Sequence, residues 1–408
     1  MSDLKELFSQ IDLDTKNIVA KLVELANVNS HSYNQTGLNF ARDFISQELK
    51  KLEVKSPNLE LKFEKIDFGE TEIISEQGEL QKIKLSPGLK VSKINAHPNA
   101  KKVLLMGHLD TVYLETSSFQ TCEPVDGNTL IGPGVSDLKG GLLVICKALE
   151  YFEKLAEAEN ISWQVFLNTD EEIGSPGSSK YFAQLAKDND LALIFEPSLS
   201  DGSIAYRRKG TGNFQFVIKG KSAHVGRNFS EGINAIIIAV ELAQKLYKIN
   251  EQNPNLIVNP GKINGGGALN AVPDLCILGV NIRITETEDA EFAENELKNF
   301  AQELEKKYPG SEIKLHGSFN RKPKIPNQKT DELIALIKDC AKELNIELPL
   351  RDTGGCCDGN NLHEHGLTNI DTLGVRGGKI HSPEEFVLID SIPERIKLAI
   401  LILTKLRP

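Results

Sequence analysis

Four short segments carry acidic and imidazole side chains at spacings suited to holding two divalent metal ions. They are Gly-His-Leu-Asp-Thr-Val at 107–112, Gly-Pro-Gly-Val-Ser-Asp-Leu-Lys-Gly-Gly at 132–141, Thr-Asp-Glu-Glu-Ile-Gly-Ser at 169–175 and Ile-His-Ser-Pro-Glu-Glu at 380–385. Together they supply His108, Asp110, Asp137, Glu171, Glu172 and His381, and a run ending at Glu196 adds a further carboxylate. A metal pair about 3.5–4 Å apart shares one carboxylate and clamps the attacking and leaving atoms of a hydrolysis. Asp137, at the start of a helix, suits the bridge. Each ion then needs one imidazole and one more carboxylate: His108 with Glu196 for one, His381 with Glu172 for the other. Such nitrogen and oxygen donors suit zinc, with cobalt or manganese possible on the same set. Glu171 and Glu172 are neighbours and, in an extended segment, point to opposite sides. Glu172 therefore ligates, and Glu171 is left to take a proton from the attacking water and pass it to the leaving amine. Asp110, two residues from His108, can accept the proton on the other imidazole nitrogen and fix its tautomer.

Singly, these residues carry little weight. A lone acid or histidine is usually a surface group, and adjacent acids often mark a helix N-terminus. Joint placement makes the argument. Apolar runs at 103–106, 163–167 and 191–195 read as buried strands, and His108 with Asp110, Glu171 with Glu172, and Glu196 follow at their ends. Ligand sites of open α/β sheets lie outside the carboxyl ends of the strands. Residues 138–155 are apolar at helical spacing, which puts Asp137 at a helix start. Upstream, the stripe of Ile18, Leu22 and Leu25 and the segment 37–52 predict two amphipathic helices, and 59–66 and 82–94 alternate as strands.

From about Lys209 the pattern changes. Phe214, Phe216 and Ile218 alternate, a glycine-flanked loop carries His224, and a helix with Ile233, Ile236, Ile237 and Val240 follows. Strands at 256–264 and 275–284, a helix at 288–307 and a strand at 312–316 complete a β-α-β-β-α-β order, an α+β sandwich. Helix-strand alternation then resumes, with a helix at 329–344, a Gly/Cys loop at 353–359 and a last helix at 391–406. The expected class is α/β: a discontinuous metal-binding domain over 1–208 and 320–408, with a mixed central sheet flanked by helices, and an inserted domain over 209–319.

Composition agrees with two domains, since 408 residues exceed one ordinary core. A net charge of −10 argues against a nucleic-acid partner, which would show a basic stripe. The N-terminus lacks the pattern of a secretory signal, and the longest apolar runs fall far short of a bilayer span, so no membrane role is expected. Cys122, Cys146, Cys276, Cys340, Cys356 and Cys357 are scattered, without a CxxC, and read as reduced thiols of a cytoplasmic protein. His363 and His365 read as a surface helix end, and Gly265–Gly267 as a flexible turn. GxSxG and GxxxxGK[ST] are both absent, which removes a serine nucleophile elbow and a phosphate-binding loop.

The four segments, in this order, resemble those of the M20 family of metallopeptidases, most densely over 102–197 and nearest to carboxypeptidase G2-like members. Gly-His-Leu-Asp-Thr-Val-Tyr-Leu, Ile-Gly-Pro-Gly-Val-Ser-Asp-Leu-Lys-Gly-Gly, Phe-Leu-Asn-Thr-Asp-Glu-Glu-Ile-Gly-Ser-Pro-Gly-Ser and Ser-Phe-Asn at 318–320 carry the likeness. The resemblance implies a zinc-exopeptidase-like catalytic domain with two Zn2+ ions, one on His108, Asp137 and Glu196 and the other on Asp137, Glu172 and His381. Glu171 would be the base and Asp110 the partner of His108. It further implies that the insert is a dimerisation or lid domain of a homodimer. His224, in Ser222-Ala223-His224, would then reach across the dimer to the reacting carbonyl. Asn270 and Arg283 match positions that contact a substrate carboxylate, so the substrate would be a small peptide or an N-acyl amino acid with a free C-terminal carboxylate. One departure stands out: Cys356 occupies the place of a third loop glycine, in Thr353-Gly354-Gly355-Cys356-Cys357-Asp358. The expected activity is that of a glutamate carboxypeptidase-like exopeptidase. The alternatives are an N-acyl-amino-acid deacylase, of the acetylornithine deacetylase or succinyl-diaminopimelate desuccinylase type, and a catalytically silent binding or dimerisation paralogue.

Overall fold

The structure is a computed structural model and describes residues 2–56, 58–94 and 97–407. Its central sheet has six strands in the order Leu61–Ile66, Gly88–Lys93, Ile161–Asn168, Lys101–His108, Leu191–Ile194, Asn369–Ile370. The first three pair antiparallel, and the last four run parallel to one another. Lys101–His108 lies inside the sheet and is apolar on both faces, as a strand covered by helices must be. Val103 and Leu105 face one core, with the helices Ser2–Ala26, Gln35–Lys55, Gly140–Phe152 and Ser391–Lys405. Leu104 and Met106 face the other, with Phe182 and Leu185 of Phe182–Asp188 and Leu362 of Asp358–Glu364. Gly141 lets the helix Gly140–Phe152 come close to the end of Leu191–Ile194: a Cβ there would stand 2.1 Å from the carbonyl oxygen of Phe195.

A separate core is built entirely from residues between 214 and 313. Four antiparallel strands, in the order Leu256–Gly265, Leu275–Ile284, Gly210–Lys219, Glu312–Arg321, carry the helices Ala235–Gln252 and Glu288–Lys307 on one face. Phe214, Phe216 and Ile218 point into that core, and the odd-numbered residues of the same strand point to the open face. The chain leaves and re-enters the unit built on the six-stranded sheet side by side, with Arg208 and Lys324 forming an antiparallel bridge. Both cations close on Asp371, Arg208 Nη2 at 2.6 Å and Lys324 Nζ at 2.7 Å, and all three are buried.

Two expectations need correction. The segment 82–94 is not one strand: Leu80–Lys84 closes a hairpin with Glu70–Ile74, and Gly88–Lys93 joins the central sheet. Pro87, which has no N–H to give a ladder, stands between them. The strand expected to end at 316 runs to Arg321, because it pairs with Gly210–Lys219 along its length through a bulge at Thr211/Gly212. Among the described residues no helix is long and apolar enough to cross a membrane.

Candidate active site

The strand ends converge as the sheet topology demands. His108 closes its strand opposite Asn168, Glu171 and Glu172 follow in a turn rather than an extended segment, and Glu196 follows Leu191–Ile194. Asp137 lies in an irregular turn, Val135–Lys139, just before the helix Gly140–Phe152. Its two carboxylate oxygens face different imidazoles: Oδ1 is 3.2 Å from His108 Nε2, and Oδ2 is 3.3 Å from His381 Nε2. Glu172 Oε2 stands 3.2 Å from His381 Nε2, and Glu196 Oε2 stands 3.8 Å from His108 Nε2. The ligand atoms of His108, Asp137 and Glu172 lie within 4.8 Å of one another. His381 is held at a left-handed φ of 62° and keeps half its side chain exposed, at the mouth of the cluster.

The residues fit a pair of divalent ions. His108 Nδ1 lies 2.9 Å from the backbone carbonyl oxygen of Asp110. That oxygen can only accept, so Nδ1 carries a proton. Nε2, turned toward Asp137 and Glu196, then needs a proton of its own or a metal cation between it and those acceptors. Donors 2.0–2.2 Å from a tetrahedral zinc stand roughly 3.3–3.5 Å apart, close to the separations found here. Electrostatics agree. Burial opposes a charged His108, but Asp110, Asp137 and Glu196 outweigh it and raise its pKa well above the usual value. Hydrogen bonding to Asp137 and Glu172 pushes His381 up to about 11. Burial, reinforced by the charge of Asp137, raises Glu172 to about 7, and burial also raises Glu196. The protein alone holds protons where divalent cations would balance the same carboxylates.

Asp110 meets His108 through both its backbone and its side chain. Its carbonyl oxygen takes the imidazole proton, and its carboxylate Oδ1 is farther away, at 3.4 Å. The carboxylate also accepts the backbone N–H groups of Glu171 (3.2 Å) and Glu172 (3.1 Å) and the hydroxyl of Ser32 (2.7 Å). Asp110 thus ties the His108 strand to the turn that carries Glu171 and Glu172. Glu171 is buried, and burial pushes its carboxyl well above the usual range, with the Arg321 guanidinium as the largest opposing influence.

The sequence does not single out three residues that shape this cluster. Arg321, at the end of the insert's last strand, donates from Nη2 to Glu171 Oε1 at 2.7 Å and to Asp358 Oδ1 at 3.1 Å. Glu385, wholly buried, accepts the N–H groups of Gly134, Ser136 and Asp137 and the hydroxyl of Tyr113, and so shapes the loop that presents Asp137. Ser32 braces Asp110. A shared clue exists for Glu385 alone, which lies in the same short segment as His381.

The substrate-side candidates are spread. Arg283 lies on the open face of the insert sheet, with Nε donating to Asn281 Oδ1 at 3.0 Å and Nη1 to Cys356 Sγ at 2.9 Å across the cleft. His224 and Asn270 sit together on an exposed part of the insert, where Val225 N donates to the Asn270 carbonyl oxygen. Among the described residues neither is bonded to the metal-ligand cluster. All six cysteines are free thiols, Cys356 half-buried and the others buried.

The fold and the convergent histidines and carboxylates define a metallohydrolase of the α/β class. The model of Peptidase family M20/M25/M40 matches residues 104–405, and the chain belongs to that family. It is 32% identical over 316 residues to carboxypeptidase G2 of Pseudomonas sp. (strain RS-16), covering 76% of this chain and 74% of that protein. It is 27% identical over 310 residues to a succinyl-diaminopimelate desuccinylase of Psychrobacter sp. (strain PRwf-1), covering 71% and 75%. Among solved structures it resembles the YXEP protein of Bacillus subtilis, a dinuclear metal-binding peptidase of the M20 family. The TM-score is 0.64 at 14% identity, over 96% of this chain and 98% of that one.

Proposed function

We propose that the chain is a dinuclear-zinc exopeptidase that removes a C-terminal amino acid bearing a free carboxylate from a peptide or N-acyl conjugate, in the manner of a glutamate carboxypeptidase. The observation that carries this reading is Asp137, whose two oxygens face two imidazoles, His108 and His381, from distant parts of the chain. His108, Asp137 and Glu196 would hold one ion, and Asp137, Glu172 and His381 the other. Divalent ions bound there would supply Lewis acidity near neutral pH.

The chain's own groups do the rest. Glu171, held at one oxygen by Arg321, takes the proton from the attacking water and delivers it to the leaving amine nitrogen. Asp110 fixes the turn that carries the base. Arg283 and Asn270 bind the substrate carboxylate, Arg283 through the N–H groups left free by Asn281 and Cys356. His224 serves the site of the partner in a homodimer formed through the insert, where it stabilises the developing oxyanion. The catalytic unit comprises 1–208 and 320–408 and the insert 209–319. Six unpaired thiols suit the reducing cytoplasm.

The similarity to a desuccinylase supports a second reading, an N-acyl-amino-acid deacylase with the same centre and a different pocket. The test is turnover of the zinc-loaded protein on a mixed library of dipeptides and N-acyl amino acids, with products identified by mass spectrometry. Release of an amino acid only from substrates with a free C-terminal carboxylate is expected. Cleavage indifferent to that carboxylate, or no cleavage by protein loaded with two metal ions per chain, contradicts the proposal.

A further inference from the structure

The open face of the insert sheet is laid out in rows. Strand register sets Arg283 beside Thr211 and Arg321, then Asn281 beside Asn213, then Gly279 beside Gln215 and His316, then Ile277 beside Val217. The first row lies at the catalytic centre, where Arg321 meets Glu171 and Arg283 meets Cys356. The last row lies under the hairpin of Glu70–Ile74 and Leu80–Lys84. Gly78 at the hairpin tip is seated so closely that a Cβ there would stand 2.7 Å from Val217 Cγ1 and 3.1 Å from Leu275 Cδ1. Between these ends lies a cleft of about 700 Å3, whose lining includes Glu172 of the ligand cluster. Its floor includes Asn213, Gln215, Asn281 and His316, and its opposite wall includes Ile73, Ile74 and Leu80 from the hairpin. Gly279 puts no side chain into the third row, which leaves the floor open there.

The geometry points to an extended subsite for a peptide-like acyl chain on the far side of the scissile bond, walled by the hairpin. This rests on the hydrolase reading above. From Asn281, in the first row beyond the carboxylate-binding Arg283, to Ile277 the strand rises about 13 Å, the length of about four residues of extended chain. The floor offers amide and imidazole groups at the two-residue repeat of the sheet, which suits a ligand carrying backbone amides at a similar repeat. The opposite wall is largely apolar and suits alternate side chains of that ligand. An acetyl or succinyl group is too short to cross the floor and leaves Gln215, His316 and the hairpin without a partner.

The test uses the full-length, metal-loaded Glu171→Gln variant, so that binding is read without turnover. Calorimetry measures the affinity of N-acetyl-Glu, Ala-Glu, Ala-Ala-Glu and Ala-Ala-Ala-Glu. The expected result is a dissociation constant at least ~10-fold lower for the longest peptide than for N-acetyl-Glu, the equivalent of about 1.4 kcal/mol. Adding Gly279→Val, which fills the third row, should bring that ratio close to one. Should that variant fold poorly, Gln215→Ala at an exposed position should reduce the same ratio. Equal affinity across the series, no binding by any member, or a ratio untouched by both floor substitutions overturns the inference. Wild-type turnover of N-acetyl-Glu and of the longest peptide, run on the same preparation, separates the two failures: hydrolysis without length dependence removes the subsite alone, whereas no hydrolysis of either removes the hydrolase reading.

Discussion

The ligand cluster and the open face of the insert are built in opposite ways. Around Asp137 the polar side chains are mostly buried and braced by others: Glu385 holds the loop, Asp110 holds the Glu171–Glu172 turn, and Ser32 holds Asp110. On the insert, His224 and Asn270 are exposed, and Arg283 is fixed by one amide and one thiol. The proposed centre, which would place several donors for two ions, would tolerate little movement, because misplaced donors lose both metal and rate. A face that must admit and release substrate gains from looser ties. Arg321 belongs to both regions: it is carried by the strand Glu312–Arg321 and bonded to Glu171, the proposed base.

The comparison can be broken most sharply at the base. Glu171→Gln should lower kcat by about 10²–10⁴-fold while the metal content, measured by mass spectrometry, stays at the wild-type value. A rate near wild type, or loss of metal, would show that Glu171 is not a free base beside an intact centre.

The junction of the two regions comes next. Burial alone would raise the pKa of Asp371, but Arg208 and Lys324 outweigh it and hold the carboxyl well below the usual range. A depressed folded pKa gives stability that is present above the unfolded value of about 3.9 and is lost as pH falls toward the folded one. Asp371→Asn leaves two buried cations without their carboxylate and should cost about 3–5 kcal/mol in chemical denaturation at neutral pH. The variant should also lose less stability than wild type below about pH 4. A parallel pH dependence in the two proteins would contradict the account.

Arg321→Met should follow, with kcat/KM down by roughly 10²-fold. Burial raises the Glu171 carboxyl and Arg321 opposes that rise, so its removal should move the acidic limb of the pH–rate profile to higher pH. Arg321→Lys should restore part of that shift. An unchanged limb would reduce Arg321 to a structural residue. The smallest effect is expected from Cys356→Gly. It frees Arg283 Nη1 from the Cys356 sulfur, a hydrogen bond worth roughly 1 kcal/mol, and should lower KM for carboxylate-bearing substrates about fivefold with kcat little changed. A fall in kcat instead would place Cys356 near the reacting atoms.

The chemistry was more legible than its supports. His108, Asp137, Glu171, Glu172, Glu196 and His381 stand at strand ends or in glycine-flanked loops, and such local context can be read along the chain. The order of strands and helices in the insert was legible for the same reason, since alternation at periods of two and 3.6 is local. Arg321 was not, because its meaning comes from strand pairing with residues a hundred positions earlier and from a bulge that aims it at Glu171. Glu385 and Ser32 act through loops whose approach no spacing rule encodes. The hairpin at 70–84 was hidden by its charged, half-exposed strands, which have no clean apolar alternation. The Asp110 carboxylate expected beside His108 Nδ1 stands 3.4 Å from it, and the backbone carbonyl of the same residue lies nearer, at 2.9 Å, because the chain turns immediately after His108.

The central claim is that Asp137 bridges two metal ions. An anomalous-difference map from zinc-loaded crystals, recorded at the zinc edge, tests it directly. Two peaks about 3.5–4 Å apart, one on the His108 side of Asp137 and one on the His381 side, are predicted. A single peak, or two peaks that do not share Asp137, would contradict the account.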